Sequence, residues 1–303
     1  MKIGHISDIH WLDTQGAKFT DFLNKRISGG INLLAGRARI HSTITAQAAI
    51  EKIKDLGCTH LIVSGDLTNL ALPAEFNSVR IALNRYFIDE KMTIVPGNHD
   101  FYTRESEQAK RFETCMYRTP PGNLDFGGDE TWPFVQIVKD VAFIGVNSAQ
   151  PRPWFVAAGR IGSHQLDLLE KALAHPEVAS RTKIVVLHHH LFQVLQSPGE
   201  SLRKLEDASD FIDVCLDGKV NMIVHGHNHD YSIKRLKNII IAEAGSCSVC
   251  KFKSPNRAGK FNVYTISEQR IRIDTWLYDN NKFNLWKSLK PDDIEPIERS
   301  RIL

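Results

Sequence analysis

The sequence predicts an α/β fold, and three observations carry that reading. Short aliphatic and β-branched runs recur along the chain, helical periodicity fills several gaps between them, and the last runs alternate apolar with polar residues. The runs "KIGHIS" (2–7), "HLIVS" (60–64), "MTIVP" (92–96), "VAFIGV" (141–146) and "KIVVL" (183–187) read as strands buried on both faces. "VNMIV" (220–224) and "NIIIAE" (238–243) continue the series. "KFNVYTI" (260–266) and "RIRIDTWLY" (270–278) read as half-exposed antiparallel strands that close the chain. Between them, "STITAQAAIEKIKDLG" opens on a capping serine, Ser42, and stops at Gly57. "PAEFNSVRIALNRYF" (73–87), "SHQLDLLEKALA" (163–174) and "SLRKLEDASDFIDVCL" (201–216) show the same periodicity.

Two segments break this rhythm. Residues 118–134 form a Pro/Gly-rich loop, and residues 16–41 lie between the first strand and the first helix, far longer than an ordinary βα connection. Within 16–41, "TDFLNKRI" and "INLLAGRARI" suit two short helical pieces broken at Gly29 and Gly30. Phe19, Phe22, Leu23, Ile27, Ile31, Leu33 and Leu34 alternate there with Lys18, Lys25, Arg26, Arg37 and Arg39. That mixture suits a lid over an anionic, partly apolar substrate, or a contact with a membrane surface. The bland reading is a surface elaboration of its own domain.

Bulk composition sets the outer limits. The 303 residues are 42% hydrophobic and 24% charged, ordinary for a globular protein of one or two domains. A net charge of +3, from 38 basic and 35 acidic residues, points to no class of partner, and no basic-aromatic track marks a nucleic-acid site. "MKIGHISDIH" has no apolar signal region, and no run is long and apolar enough to span a bilayer. Five cysteines without framework spacing suit a reducing compartment, and "CSVC" (247–250) reads as ordinary thiols beside a strand. The expected location is cytoplasmic, with a peripheral contact at the inner face of the membrane if 16–41 supplies one. Oligomeric state is not legible.

Chemistry concentrates at strand ends. Asp8 and His10 follow the first run, Gly65 and Asp66 the second, and Gly97, Asn98, His99 and Asp100 the third. His188, His189 and His190 follow 183–187, and His225, Gly226, His227, Asn228 and His229 follow 220–224. Open α/β sheets place their sites at this edge. Carboxylate, imidazole and amide oxygen suit Mn, Fe, Zn and related divalent ions, and the absence of cysteine speaks against a closed structural zinc site. There are too many ligands for one ion, so two ions sharing the Asp66 carboxylate is the natural arrangement. One such cluster alone would more often be a satisfied histidine; five in the same topological position are not coincidence. His5, His60, His164 and His175 read as structural or exposed.

In order and spacing, "DIH" (8–10), "GDLTN" (65–69), "GNHD" (97–100), "HHH" (188–190) and "GHNH" (226–229) resemble the calcineurin-like metallophosphoesterase family. The blocks span about three-quarters of the chain. The resemblance implies a single domain over 1–303, a four-layer αββα sandwich of two mixed sheets with 16–41 inserted as a cap. The strands and tail of 260–303 would join the second sheet. It implies two divalent ions (Mn, Fe or Zn), the first held by Asp8, His10, Asp66 and His229, the second by Asp66, Asn98, His188 and His227. Catalytic roles fall to Asp66, Asn98 and His99, with His99 at the phosphate or leaving group. His190, His41 and Arg37 are the expected substrate contacts, and His225 a supporting residue. Two positions depart from the family pattern: Asn69 stands where many phosphatases have Asp, and His190 where proline is common.

The expected activity is hydrolysis of a small-molecule phosphodiester or phosphomonoester, resembling the cyclic-nucleotide and glycerophosphodiester branch. A pyrophosphatase of a nucleotide-linked lipid, of the UDP-diacylglucosamine type, is the alternative suggested by the insert. A non-catalytic scaffold on the same fold would show broken ligand positions, and here every one is filled.

Overall fold

A computed structural model describes residues 1–17, 40–117, 121–127, 131–192, 202–252, 254–267 and 270–302. The strands are β1 (Lys2–Ile6), β2 (His60–Ser64), β3 (Met92–Val95), β4 (Phe134–Val138), β5 (Val141–Gly145), β6 (Thr182–Val186), β7 (Met222–His225), β8 (Ser232–Leu236), β9 (Ile239–Glu243), β10 (Lys260–Ser267), β11 (Arg270–Asp279) and β12 (Lys282–Leu289). They form two six-stranded sheets, ordered β12-β11-β10-β1-β2-β3 and β4-β5-β6-β7-β9-β8. Pairing is parallel through β1-β2-β3 and through β5-β6-β7-β9, and antiparallel elsewhere.

The tail strands therefore do not join the second sheet. β10 pairs antiparallel with β1, placing Lys2 opposite Thr265, so β10 to β12 extend the sheet that holds β1 to β3. The physical reason is the open edge of β1, whose other side is taken by β2.

The helices are α1 (Thr43–Asp55), α2 (Pro73–Asn84), α3 (Arg104–Gln108), α4 (Arg111–Met116), α5 (Ser163–Ala174), α6 (Pro176–Ala179) and α7 (Ala208–Asp217). Ser42 caps α1 as expected, its side chain accepting from Thr45 N. α7 begins later than the periodicity suggests. Residues 202–206 instead form turns that bond to the 157–159 segment, through Ala157 N to Leu202 O, Gly159 N to Lys204 O and Glu206 N to Gly159 O, with one parallel bridge between Gly159 and Leu205.

Side-chain parity on the second sheet explains the layering. Phe143, Ile184, Val186, Met222, Val224, Ile240 and Ala242 join the core shared with the first sheet. Ile144, Val185, Leu187, Ile223 and Ile241 point the other way and pack under Leu169 of α5 and Phe211 and Ile212 of α7. α1 covers the far face of the first sheet, where an added Cβ on Gly4 would meet Ile53 Cγ2 at 2.3 Å. The result is the four-layer αββα sandwich. Each large side chain buried in these layers contributes about 1.5–3 kcal/mol. The insert at 16–41 lies almost wholly outside the described residues, and its expected helices and Arg37 with it.

Two buried histidines lie between the sheets. His5 joins Tyr264 Oη at 2.7 Å and Ser64 Oγ at 2.8 Å. His60 stacks on Phe143, centroids 4.1 Å apart, and its Nε2–H donates to Thr93 Oγ1 at 2.7 Å, whose hydroxyl donates to Gln136. Burial, with His225 adding to it, lowers His5 to about 3, and burial lowers His60 to about 3, against 6.5 for a free imidazole. Both are neutral in the folded chain, so the unfolded chain takes up their protons first as pH falls through 6.5. Their contribution is intact above that pH and is lost progressively toward pH 3. By pH 5 each is expected to cost about 2 kcal/mol, at about 1.4 kcal/mol per pH unit. The check is urea unfolding at pH 7 and pH 5. His60→Phe should lose about 2 kcal/mol less than the wild type over that range; equal losses would refute the assignment.

Candidate metal centre

All five motif blocks converge at the C-terminal ends of β1, β2, β3, β6 and β7, where the two sheets meet. Past its last strand residue each chain segment turns sharply. Asp8, His10, Asp66, His227 and His229 have φ of 51, 48, 52, 81 and 58°. The left-handed region is unfavourable for side-chain-bearing residues, least so for Asp, Asn and His, so the residue types fit both the turn and the chemistry. Glycine is needed where backbones nearly touch. A Cβ on Gly97 would stand 2.2 Å from Asp66 Oδ1, and one on Gly226 would stand 1.9 Å from Ser7 Oγ.

Two sets of donor atoms form around one shared oxygen. Asp66 Oδ2 lies 3.8 Å from His10 Nε2 and 3.5 Å from His188 Nε2. On the first side, His10 Nε2 is 3.0 Å from His229 Nε2, and His229 Nε2 is 3.2 Å from Asp8 Oδ1. On the second, His188 Nε2 is 3.2 Å from both Asn98 Oδ1 and His227 Nδ1. Donor atoms sharing one ion at about 2.1 Å stand about 3.0–3.4 Å apart in octahedral or tetrahedral geometry, so both sets are spaced to hold a cation. Asp8 Oδ1 is buried with no hydrogen-bond donor among the described residues, yet imidazole nitrogens face it. Such an oxygen is costly to bury unless a cation or a donor meets it, and the residues present fit a divalent ion. Asp8, Asp66 and His188 also form a tight triad of ligand-capable atoms, as do His10, Asp66 and His99.

Hydrogen bonds aim the candidate ligands. His188 Nδ1 donates to Ser64 O at 2.8 Å and His227 Nε2 to Arg203 O at 3.0 Å, so the opposite nitrogens face each other across the site, where the neutral rings would offer their lone pairs to a cation. Burial opposes ionisation of Asp66, but His188 and His99 outweigh it and hold the carboxyl well below the usual range. Burial likewise disfavours charge on His188, while Asp66 pulls it up to about 9. Burial, then His189 and His188, hold His227 well below an ordinary imidazole.

Each expected site residue can now be placed. Asp8, His10, Asp66, Asn98, His188, His227 and His229 are together. His99 sits beside them: its backbone N–H donates to Asp66 Oδ1 at 2.7 Å, its ring Nδ1 to Asn69 O at 2.7 Å, and its ring meets that of His10 edge-on at 5.0 Å. His190 is buried and stacks on His227, centroids 5.4 Å apart. It also lines a cavity of about 310 Å³ with His225, Asn228, Arg203, Arg257 and Arg301. His41 lies against His10, centroids 4.8 Å apart. Cys247 is buried and Cys250 Sγ donates to Ile40 O, so "CSVC" carries two thiols rather than a disulfide.

The supporting residues were less visible in the sequence. Asp100 accepts from the backbone N–H groups of Leu67, Thr68 and Gly97 and so binds two turns together; burial, then Asp66, raises its carboxyl to about 7. Glu243 accepts from the N–H of Asn228 and Asp230, fixing the loop between His227 and His229. Its only signal is a carboxylate closing an apolar run. Asn69 donates from Nδ2 to His10 O, which an ionised aspartate at that position cannot do.

The calcineurin-like phosphoesterase family model matches residues 1–231. No curated protein sequence matches the chain. Among solved structures, the purple acid phosphatase PPD1 from yellow lupin (Lupinus luteus) seeds aligns at 12% identity with a TM-score of 0.65, covering 98% of this chain and 54% of that one. The chain thus spans about half the length of the lupin protein. GAP50, the anchor in the inner membrane complex of Plasmodium, aligns at 14% identity and a TM-score of 0.55, covering 96% of this chain and 88% of that one. These two likenesses establish the sandwich fold. The chain belongs to the calcineurin-like phosphoesterase family. No helix among the described residues is long and apolar enough to cross a membrane.

Proposed function

We propose that this chain is a two-metal phosphohydrolase acting on a phosphodiester or phosphomonoester of a small molecule. The observation that carries the reading is the single Asp66 oxygen poised between two donor sets, 3.8 Å from His10 Nε2 and 3.5 Å from His188 Nε2. Asp8, His10, Asp66 and His229 would hold one ion, and Asp66, Asn98, His188 and His227 the other. When bound, a pair of divalent ions neutralises phosphoryl oxygens and lowers the pKa of water enough to provide a nucleophile near neutral pH.

The remaining steps belong to the protein. Asn98 has its amide at the second donor set, where its NH₂ can donate to a phosphoryl oxygen while its carbonyl oxygen serves as ligand. His99 keeps its Nδ1 proton on Asn69 O, so proton donation to a leaving oxygen comes from Nε2 of the imidazolium and leaves a neutral ring still anchored at Nδ1. The cavity beside His190 has room for the organic part of a small substrate, and its arginines suit a polar or anionic one. The scaffold reading is disfavoured by the same convergence: seven ligand-capable residues are in register. The lipid-pyrophosphate alternative rests on the insert, of which residues 18–39 lie outside the described residues.

The test is a panel of esters, from bis-p-nitrophenyl phosphate through cyclic nucleotides to UDP-linked lipids, with Mn(II), Fe(II) or Zn(II) added to chelator-treated protein. Metal-dependent turnover of small esters with two ions per chain is expected. Full activity in metal-free protein would end the two-metal reading, and preference for the UDP-lipid would end the small-substrate one.

A further inference from the structure

One imidazole at this centre belongs to none of the five strand-end blocks. His41 arrives from the residue before the cap of α1, and its backbone is fastened to the segment after β9. Ser42 N donates to Ser248 O and Cys250 N to Ile40 O, both at 2.8 Å, and His41 bridges Val249. Its ring stands edge-on to His10 at 4.8 Å and to His229 at 5.4 Å. One ligand-capable atom from each of the three histidines lies within 4.8 Å of the others.

The hydrogen bonds define which nitrogen is offered. Ser246 Oγ donates to Asp8 O at 2.7 Å, and Ser248 Oγ donates to the same carbonyl at 3.3 Å. A hydroxyl whose proton points at a carbonyl accepts on its other side. In the tautomer protonated at Nδ1, His41 donates to Ser248 Oγ at 2.7 Å and Nε2 carries the lone pair. A metal-bound histidine needs the same arrangement: one nitrogen donating to an outer partner, the other free to ligate. The outer partner here also touches the backbone of Asp8, so one pair of serines sets the position of two residues of the centre.

We infer that His41 is a further protein ligand at the Asp8–His10–His229 position, oriented by Ser248. Ligands on opposite sides of an ion stand about 4.2 Å apart, close to the 4.8 Å within which the three ligand-capable atoms already lie. The assignment rests on the two-metal reading. It also gives that position three imidazoles, which favours Zn(II) or Fe(II) over Mn(II) there.

The test uses the full chain, stripped with chelator and titrated with Zn(II) and with Mn(II) against a chromophoric competitor. His41→Ala is expected to weaken one of the two Zn(II) sites about 10–100-fold, to leave the other unchanged, and to affect Mn(II) less. Ser248→Ala should weaken the same site in the same direction. His41→Gln, which keeps a polar group opposite Ser248, replaces His41→Ala if the alanine variant does not fold, with the same weakening expected. Unchanged Zn(II) affinity with a raised KM for ester would overturn the assignment and leave His41 a substrate contact. If the wild type takes up a single ion, the two-metal reading falls, and His41 is judged on that ion: unchanged affinity overturns the ligand role.

Discussion

Asp66→Asn should reduce kcat/KM by about a thousandfold or more and lower metal content at both proposed positions, because the site would lose the anionic oxygen proposed to serve two ions. Asparagine is the informative replacement. It tolerates the left-handed backbone at φ 52° and retains an oxygen to accept from His99 N, so a folded protein is expected. It removes the negative charge, which is what a bridge between two cations requires. Elemental analysis after gel filtration reads the metal loss, and circular dichroism confirms the fold. Two retained ions with near-normal turnover would show that Asp66 is not the bridge.

His99→Ala should behave differently. The residue is not among the proposed ligands, so both ions should stay, while turnover of alkyl phosphate esters falls about 100-fold or more. Nitrophenolate departs well without a proton, so p-nitrophenyl esters should be hurt much less. The comparison needs kcat on both substrate types with metal content measured on the same samples. Equal losses on the two types would mean that His99 chiefly stabilises charge on the phosphoryl group. Loss of an ion would mean that it ligates, a role its closeness to His10 and Asp66 makes geometrically accessible.

The sequence exposed the site more fully than the fold around it. Ligand-capable residues after each parallel strand are visible because strand ends are marked by the change from apolar to polar, and because turns with positive φ restrict the residue types. The unbroken periodicity of 163–174 coincides with α5, Ser163–Ala174, to the residue. α2 ends at Asn84, earlier than its apolar pattern suggests. The strands not foreseen, β4, β8 and β12, are all sheet edges. An edge needs less apolar burial, and polar residues such as Lys234 and Arg235 in β8 or Lys282 and Lys287 in β12 blunt it against further pairing, so it reads as loop. The Ser246 and Ser248 contacts to Asp8 were hidden for another reason: they link residues 238 and 240 positions apart. Nothing local in a serine signals such a partner.

The placement of the centre across the meeting edge of the two sheets has a consequence for how the chain holds together. Asp8, His10, Asp66 and Asn98 come from the first sheet, His188, His227 and His229 from the second. An ion held by Asp8 and His229 closes a covalent loop of about 220 residues, the kind of long closure that most restricts an unfolded chain. β10 completes the hydrogen bonding of β1, so the segment after residue 260, which carries no ligand, is tied to the same closure. Once the ions are in place, an opening that separates the sheets must release them first. Amide exchange in β10 and β11, far along the chain from any ligand, would then slow with metal as much as exchange in β7 does, and the two sheets would open as one unit.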